Sequence, residues 1–169
     1  MLLLRRFLVM LALIFWQGGF MFYGAVTLPV IRELFGSEGS FVTQRVTMGI
    51  NLAGTIAILV TFFDLHLSPL PSKRWRWLVW LVMFLPQPVL VWMHHEMSAQ
   101  MLSRGFRPNF DSFMLYWHKP YLYLSSLQWL AGMIYVWQSL RTWRAEDQVE
   151  SISDASKMRE DPNASSMSR

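Results

Sequence analysis

Between Arg6 and Ile31 the chain reads FLVMLALIFWQGGFMFYGAVTLPV, residues 7–30, without a single Asp, Glu, Lys, Arg or His. A helix needs about 20 predominantly apolar residues to cross a hydrocarbon core of about 30 Å, and this run is long enough. A cleaved secretory signal has a shorter core of about 7–15 apolar residues, followed by small side chains. Here Trp16, Phe20, Phe22 and Tyr23 fill the region where small residues would be needed. The stretch therefore predicts a retained first transmembrane helix, with Arg5 and Arg6 on one side of the membrane and Arg32 and Glu33 on the other.

The flanking sequence repeats the pattern. A polar turn at 37–40 supplies Ser40 as a cap for a second span, about 42–63, closed by Asp64 and His66. The segment 68–72 (SPLPS) is a connector, because each proline removes a backbone donor and biases its predecessor away from helix. Lys73, Arg74 and Arg76 interleave with Trp75, Trp77 and Trp80, the composition of a membrane–water interface. A third span follows at about 77–93, kinked by Pro86 and Pro88, with helix continuing towards Arg104. Asp111 caps a short interfacial helix at 112–117, and Pro120 opens a fourth span at about 121–137. Beyond Arg144, residues 145–169 lack aromatic side chains and are rich in Ser and charge, which predicts a disordered polar tail. The expected fold is all-α: a polytopic membrane protein with an antiparallel four-transmembrane-helix bundle in 1–144 and a tail in 145–169.

Charge sets the expected orientation. Arg5, Arg6, Lys73, Arg74, Arg76, Arg141, Arg144, Lys157, Arg159 and Arg169 fall on one side; Arg32, Arg45, Arg104, Arg107 and Lys119 fall on the other. The positive-inside rule places both termini in the cytoplasm. Composition agrees with burial in lipid, at 53% hydrophobic and a mean hydropathy of +0.27. The net charge of +4 comes from residues flanking apolar blocks and forms no single basic face, so nucleic acid is not an expected partner. The expected partners are the lipid bilayer, and a second copy or another membrane protein. Absence of cysteine excludes disulfides, thiolate metal sites and thiol catalysis.

Each expected span carries an amide: Gln17, Asn51, Gln87 and Gln128. An unpaired amide in hydrocarbon is costly, so these residues, with Ser125, are expected to form a polar seam between helices. Helical steps extend the seam through Met21, Gly24 and Leu28 in the first span, and through Phe84, Val91 and His94 in the third. A second cluster comprises His94, Met97, Asp111 and His118 on the outer side. Imidazole with thioether suits copper(I), and imidazole with carboxylate suits zinc. No catalytic or phosphate-binding motif occurs, so no enzyme activity is expected.

The string Phe15-Trp16-Gln17-Gly18-Gly19-Phe20, with Phe22-Tyr23 and Pro29-Val30, resembles the first helix of small four-span bacterial proteins of the DUF4149 type, related to eukaryotic transmembrane protein 205. Gln44-x-x-Thr47 with Asn51, and His118-x-x-Tyr121-Leu122 followed by Gln128-Trp129, are similar to the later helices of that group. The resemblance spans about residues 7–144 and implies the same four-span fold. It also implies a distant similarity to copper-resistance membrane proteins, without transferring a ligand. The functional expectations are a non-enzymatic accessory or interaction protein, or a binder or transporter of a metal ion or small solute through the seam. A third is a redox protein holding haem between His94 and His118.

Overall fold

The computed structural model describes residues 2–68, 73–103 and 114–160, and every regular element among them is helical. The first rod, Leu2–Phe35, comprises α1 (Leu2–Phe22), a π turn (Tyr23–Thr27) and α2 (Leu28–Phe35). Gly36 ends it with φ 53°, a backbone conformation that side chains with a Cβ rarely adopt. A 3-10 turn, Gly36–Gly39, leads into α3 (Ser40–Leu67). Then α4 (Lys73–Phe84) and α5 (Pro86–Ser103) form one rod bent at Leu85, where Pro86 and Pro88 remove ladder donors. A second π turn, Met114–His118, precedes α6 (Lys119–Glu160).

Both π turns lie just before a proline, Pro29 and Pro120. A proline ring clashes with the carbonyl four residues earlier, and widening that turn to π pitch relieves the clash. Sequence reading legibly placed the prolines. The widened turns come from how the helices continue through them.

Three helices are long and apolar enough to cross a membrane: Leu2–Phe35, Ser40–Leu67 and Arg74–Met101. Their outward faces carry Leu3, Phe7, Leu11, Ile14, Phe15, Leu52, Phe63 and Trp92, all exposed. A continuous apolar exterior of this kind is compatible with contact to a lipid bilayer and incompatible with an ordinary soluble surface. The helix α6 is excluded from that trio because Tyr, Trp, Ser and Gln dilute its hydropathy, although Leu122, Leu127, Leu130, Ile134 and Trp137 are also exposed.

The interior is layered around Leu13, Trp16, Ala57, Ile58, Met83 and Tyr135. Close approach depends on small residues. A Cβ on Gly54 would lie 2.8 Å from the Trp16 indole nitrogen, and one on Gly132 would strike the Gln17 amide.

The structure departs from sequence expectation at the helix ends. The helix α3 runs past Asp64 to Leu67, and α6 continues through the composition change at Arg144 to Glu160. A disordered tail beginning at residue 145 does not match this: Glu146 is buried and tied to the first helix by ion pairs, which hold the polar extension in helical form.

Candidate functional site

The amides of three rods meet. Gln87 on α5 donates through Nε2 to the Asn51 carbonyl at 2.8 Å and to Thr55 Oγ1 at 2.9 Å. Gln128 on α6 donates through Nε2 to Gln87 Oε1 and to the Met83 carbonyl, each at 2.7 Å. Tyr121 completes the set by donating its hydroxyl to Asn51 Oδ1 at 3.1 Å, while Ser125 turns back to the Tyr121 carbonyl at 2.8 Å. Gln17 is also buried but stands apart, giving Nε2 to the Trp129 carbonyl at 3.3 Å.

This order follows from register. Along α4 and α5, Arg76, Trp80, Gln87 and His94 contact Asp64, Ile58, Asn51 and Gln44 of α3 in turn. The steps from Trp80 to Gln87 to His94 are seven residues, two helical turns, which keeps one stripe facing α3. On α6, Tyr121, Gln128 and Tyr135 repeat the same step. Met21, Phe84 and Val91, which the expected seams also included, are exposed. Two three- or four-residue patterns pass through each amide, and only packing chooses between them.

At one end of this seam the helices part around a cavity of about 220 Å³. Its wall is built by α1, both π turns, the start of α3, the end of α5 and the start of α6. Tyr23 and Gly24 come from the first π turn and His118 from the second. The described lining is mostly apolar and contains no Asp, Glu, Lys or Arg. Within it, Ser40 Oγ, Asn51 Nδ2, His118 Nδ1 and Trp129 Nε1 are buried and have no hydrogen-bond partner among the described residues. Buried polar atoms are normally satisfied, so four residues of one cavity wall carrying unpartnered ones are a chemical feature of the site.

The predicted histidine–methionine cluster is distributed as follows. His94, Met97 and His118 all line the cavity, as does Met101. His94 Nε2 lies 3.1 Å from the Gln44 carbonyl, which can only accept, so this nitrogen carries a proton. In neutral His94, Nδ1 then holds the free lone pair. Burial, and secondarily Arg32, lower the His118 pKa and favour its neutral form. Asp111 lies outside the described residues. Among the described residues, no group of three or more His, Asp or Glu could hold a metal ion.

The opposite end holds a cluster that residue patterns do not reveal. Asp64 and Arg76, expected as a helix end and an interface residue, are 0% and 2% exposed. Their side chains meet at 2.5 Å, and Arg5 Nε reaches the other Asp64 oxygen at 3.1 Å. Glu146 accepts from Arg5 at 3.1 Å, Arg6 at 3.2 Å and Ser68 at 2.7 Å. Arg6 also pairs with Asp147 at 2.8 Å, so three guanidiniums face three carboxylates. Tyr135, fully buried, receives a bond from Arg76 at 3.2 Å and gives its proton to the Thr61 carbonyl at 3.0 Å. The residues are far apart in sequence, and the usable signal was only their charge beside apolar blocks. His66, by contrast, is exposed and stacks on Phe62 with centroids 6.3 Å apart.

Compared with known proteins, the chain matches no family model, no curated protein and no solved structure.

Proposed function

We propose that this chain is a non-enzymatic, four-span antiparallel bundle of the bacterial inner membrane that binds a small solute in the cavity between α1, α3, α5 and α6. The cavity carries the reading: a mostly apolar space whose lining residues include four with unpartnered polar atoms, from α3, α6 and the second π turn. The fourth span is supported by the apolar outward face of α6 and by its seam contacts to Gln87 and Asn51. Cytoplasmic placement of both ends rests on the distribution of Lys and Arg, and membership of the DUF4149-type group rests on the quoted motifs.

Gly24 provides a test, because it lines the cavity and a Cβ added there meets nothing within 4 Å, which leaves room for a bulky side chain at the wall. Wild type and Gly24→Trp are purified in native lipid nanodiscs, and their organic extracts are compared by mass spectrometry. A molecule enriched with wild type and depleted in the variant is the expected result. Identical extracts would remove the solute reading and leave an accessory or interaction role. Reporter fusions at Met1 and Arg169 are expected to signal cytoplasm, and an external signal from either would overturn the orientation.

A second reading, a soft metal ion such as copper(I), is favoured by His94, Met97, Met101 and His118 lining one cavity. Bound metal lost in His94→Ala/His118→Ala would support it; zinc is measured in the same assay. Haem between His94 and His118 is disfavoured by the size of the cavity. A space of about 220 Å³ is nearer to the 150 Å³ that holds benzene than to a porphyrin.

A further inference from the structure

Resting on the solute reading above, we infer that the occupant is an uncharged, largely apolar molecule, about one substituted ring in size, that carries a hydrogen-bond-accepting oxygen and enters sideways from the bilayer.

Size comes first. The cavity measures about 220 Å³. Scaling from benzene in a cavity of about 150 Å³ gives an occupant of roughly nine non-hydrogen atoms.

Polarity follows from the unpartnered atoms. Asn51 Nδ2 and Trp129 Nε1 are buried, lack partners among the described residues, and belong to cavity-lining residues. An amide nitrogen and an indole nitrogen can only donate. Asn51 Oδ1 is already engaged by the Tyr121 hydroxyl at 3.1 Å, so its amide nitrogen is the half without a partner among the described residues. The complementary group is an acceptor oxygen, such as a carbonyl.

Charge is disfavoured on the same wall. With no Asp, Glu, Lys or Arg in the described lining, a carboxylate or ammonium would be desolvated without a counter-charge. Methionine and aromatic walls instead match an apolar ring by dispersion.

The entry route is legible in exposure. Gly24, Leu28 and Leu122 line the cavity and are themselves exposed on the outer face of the helices. The helix α2 packs on α3, whereas the first rod meets α6 around Gln17 and Trp129 and again at the Arg5–Glu146 end. Among the described residues, the cavity wall at Leu28 and Leu122 is thus also exposed to the apolar exterior, where a molecule dissolved in lipid reaches it without crossing the polar ends.

Three probes of equal size separate these claims: acetophenone, its hydrocarbon counterpart cumene, and the anion benzoate. Each is measured by equilibrium dialysis against the full chain in nanodiscs at pH 7, with empty nanodiscs as baseline. Acetophenone is expected to bind saturably, cumene about fivefold more weakly, and benzoate no better than to empty discs. Trp129→Phe keeps an aromatic ring and removes the donor, so it should weaken acetophenone about fivefold and cumene far less. Gly24→Trp should abolish binding of both neutral probes.

Equal binding of acetophenone and cumene, or tighter binding of benzoate, would overturn the inferred class while leaving a solute site in place. If no probe binds but the extracts differ between wild type and Gly24→Trp, the inferred class is again overturned and the site survives. If no probe binds and the extracts are identical, both fall together.

Discussion

The two ends of this molecule handle buried polarity in opposite ways. At one end, Arg5, Arg6, Asp64, Arg76 and Glu146 bury charge and answer it with opposite charge. At the other, Asn51, Trp129, His118 and Ser40 bury neutral polar atoms and leave them unanswered beside a cavity. Between them the amides of Gln87 and Gln128 are bonded from one helix to the next. Opposite charges in contact join helices, even with Asp64 Oδ1 and Arg76 Nε and Nη1 left without a hydrogen-bond partner among the described residues, whereas neutral polar residues beside open space offer a place for something else.

The contrast can be broken most forcefully at the charged end. Arg76→Met leaves Asp64 buried with only Arg5 to balance it and is expected to destabilise the protein by about 3–5 kcal/mol. Equilibrium unfolding by sodium dodecyl sulfate in mixed micelles measures this, and a loss below about 1 kcal/mol would mean that water screens the pair like a surface one. Cutting the chain after Arg144 removes Glu146 and should cost about 2–3 kcal/mol by the same measurement. Cutting after Ile152 should change almost nothing, since Arg5, Arg6 and Ser68 keep their partner. Equal stability of both shortened chains would show that the extension beyond Arg144 contributes no clamp.

Smaller effects sharpen the difference between packed interior and open cavity. Gly54→Ala pushes a methyl group to 2.8 Å from the Trp16 indole nitrogen and should cost about 1–2 kcal/mol. Gly24→Ala, where nothing lies within 4 Å, should stay within about 0.5 kcal/mol of wild type. Similar losses at both positions would mean that the cavity wall is as tightly packed as the Trp16 contact.

How much of this was legible beforehand differs by feature. The apolar runs at 7–30, 42–63 and 77–93 gave the helices that can cross a membrane, because length in hydrocarbon is a local property. The seam amides could be listed, since buried polar atoms need partners. Their pairing could not: Gln87 and Gln128 join through a carbonyl–amide contact whose geometry depends on how three helices cross. The role of Tyr135 is not legible in the sequence, because a tyrosine near a span end reads equally well as an interface anchor. Nor is that of Glu146, because composition is averaged along the chain, while burial is decided by what lies across from it.

By itself, the sequence determined that this chain forms long apolar helices punctuated by proline and charge. That follows from the hydrophobic length and backbone chemistry of each segment taken alone. The tertiary structure decided which polar groups cancel one another and which are left facing a cavity. Such cancellation needs atoms from separate helices brought within about 3 Å, a condition set by packing and register rather than by any single stretch of residues.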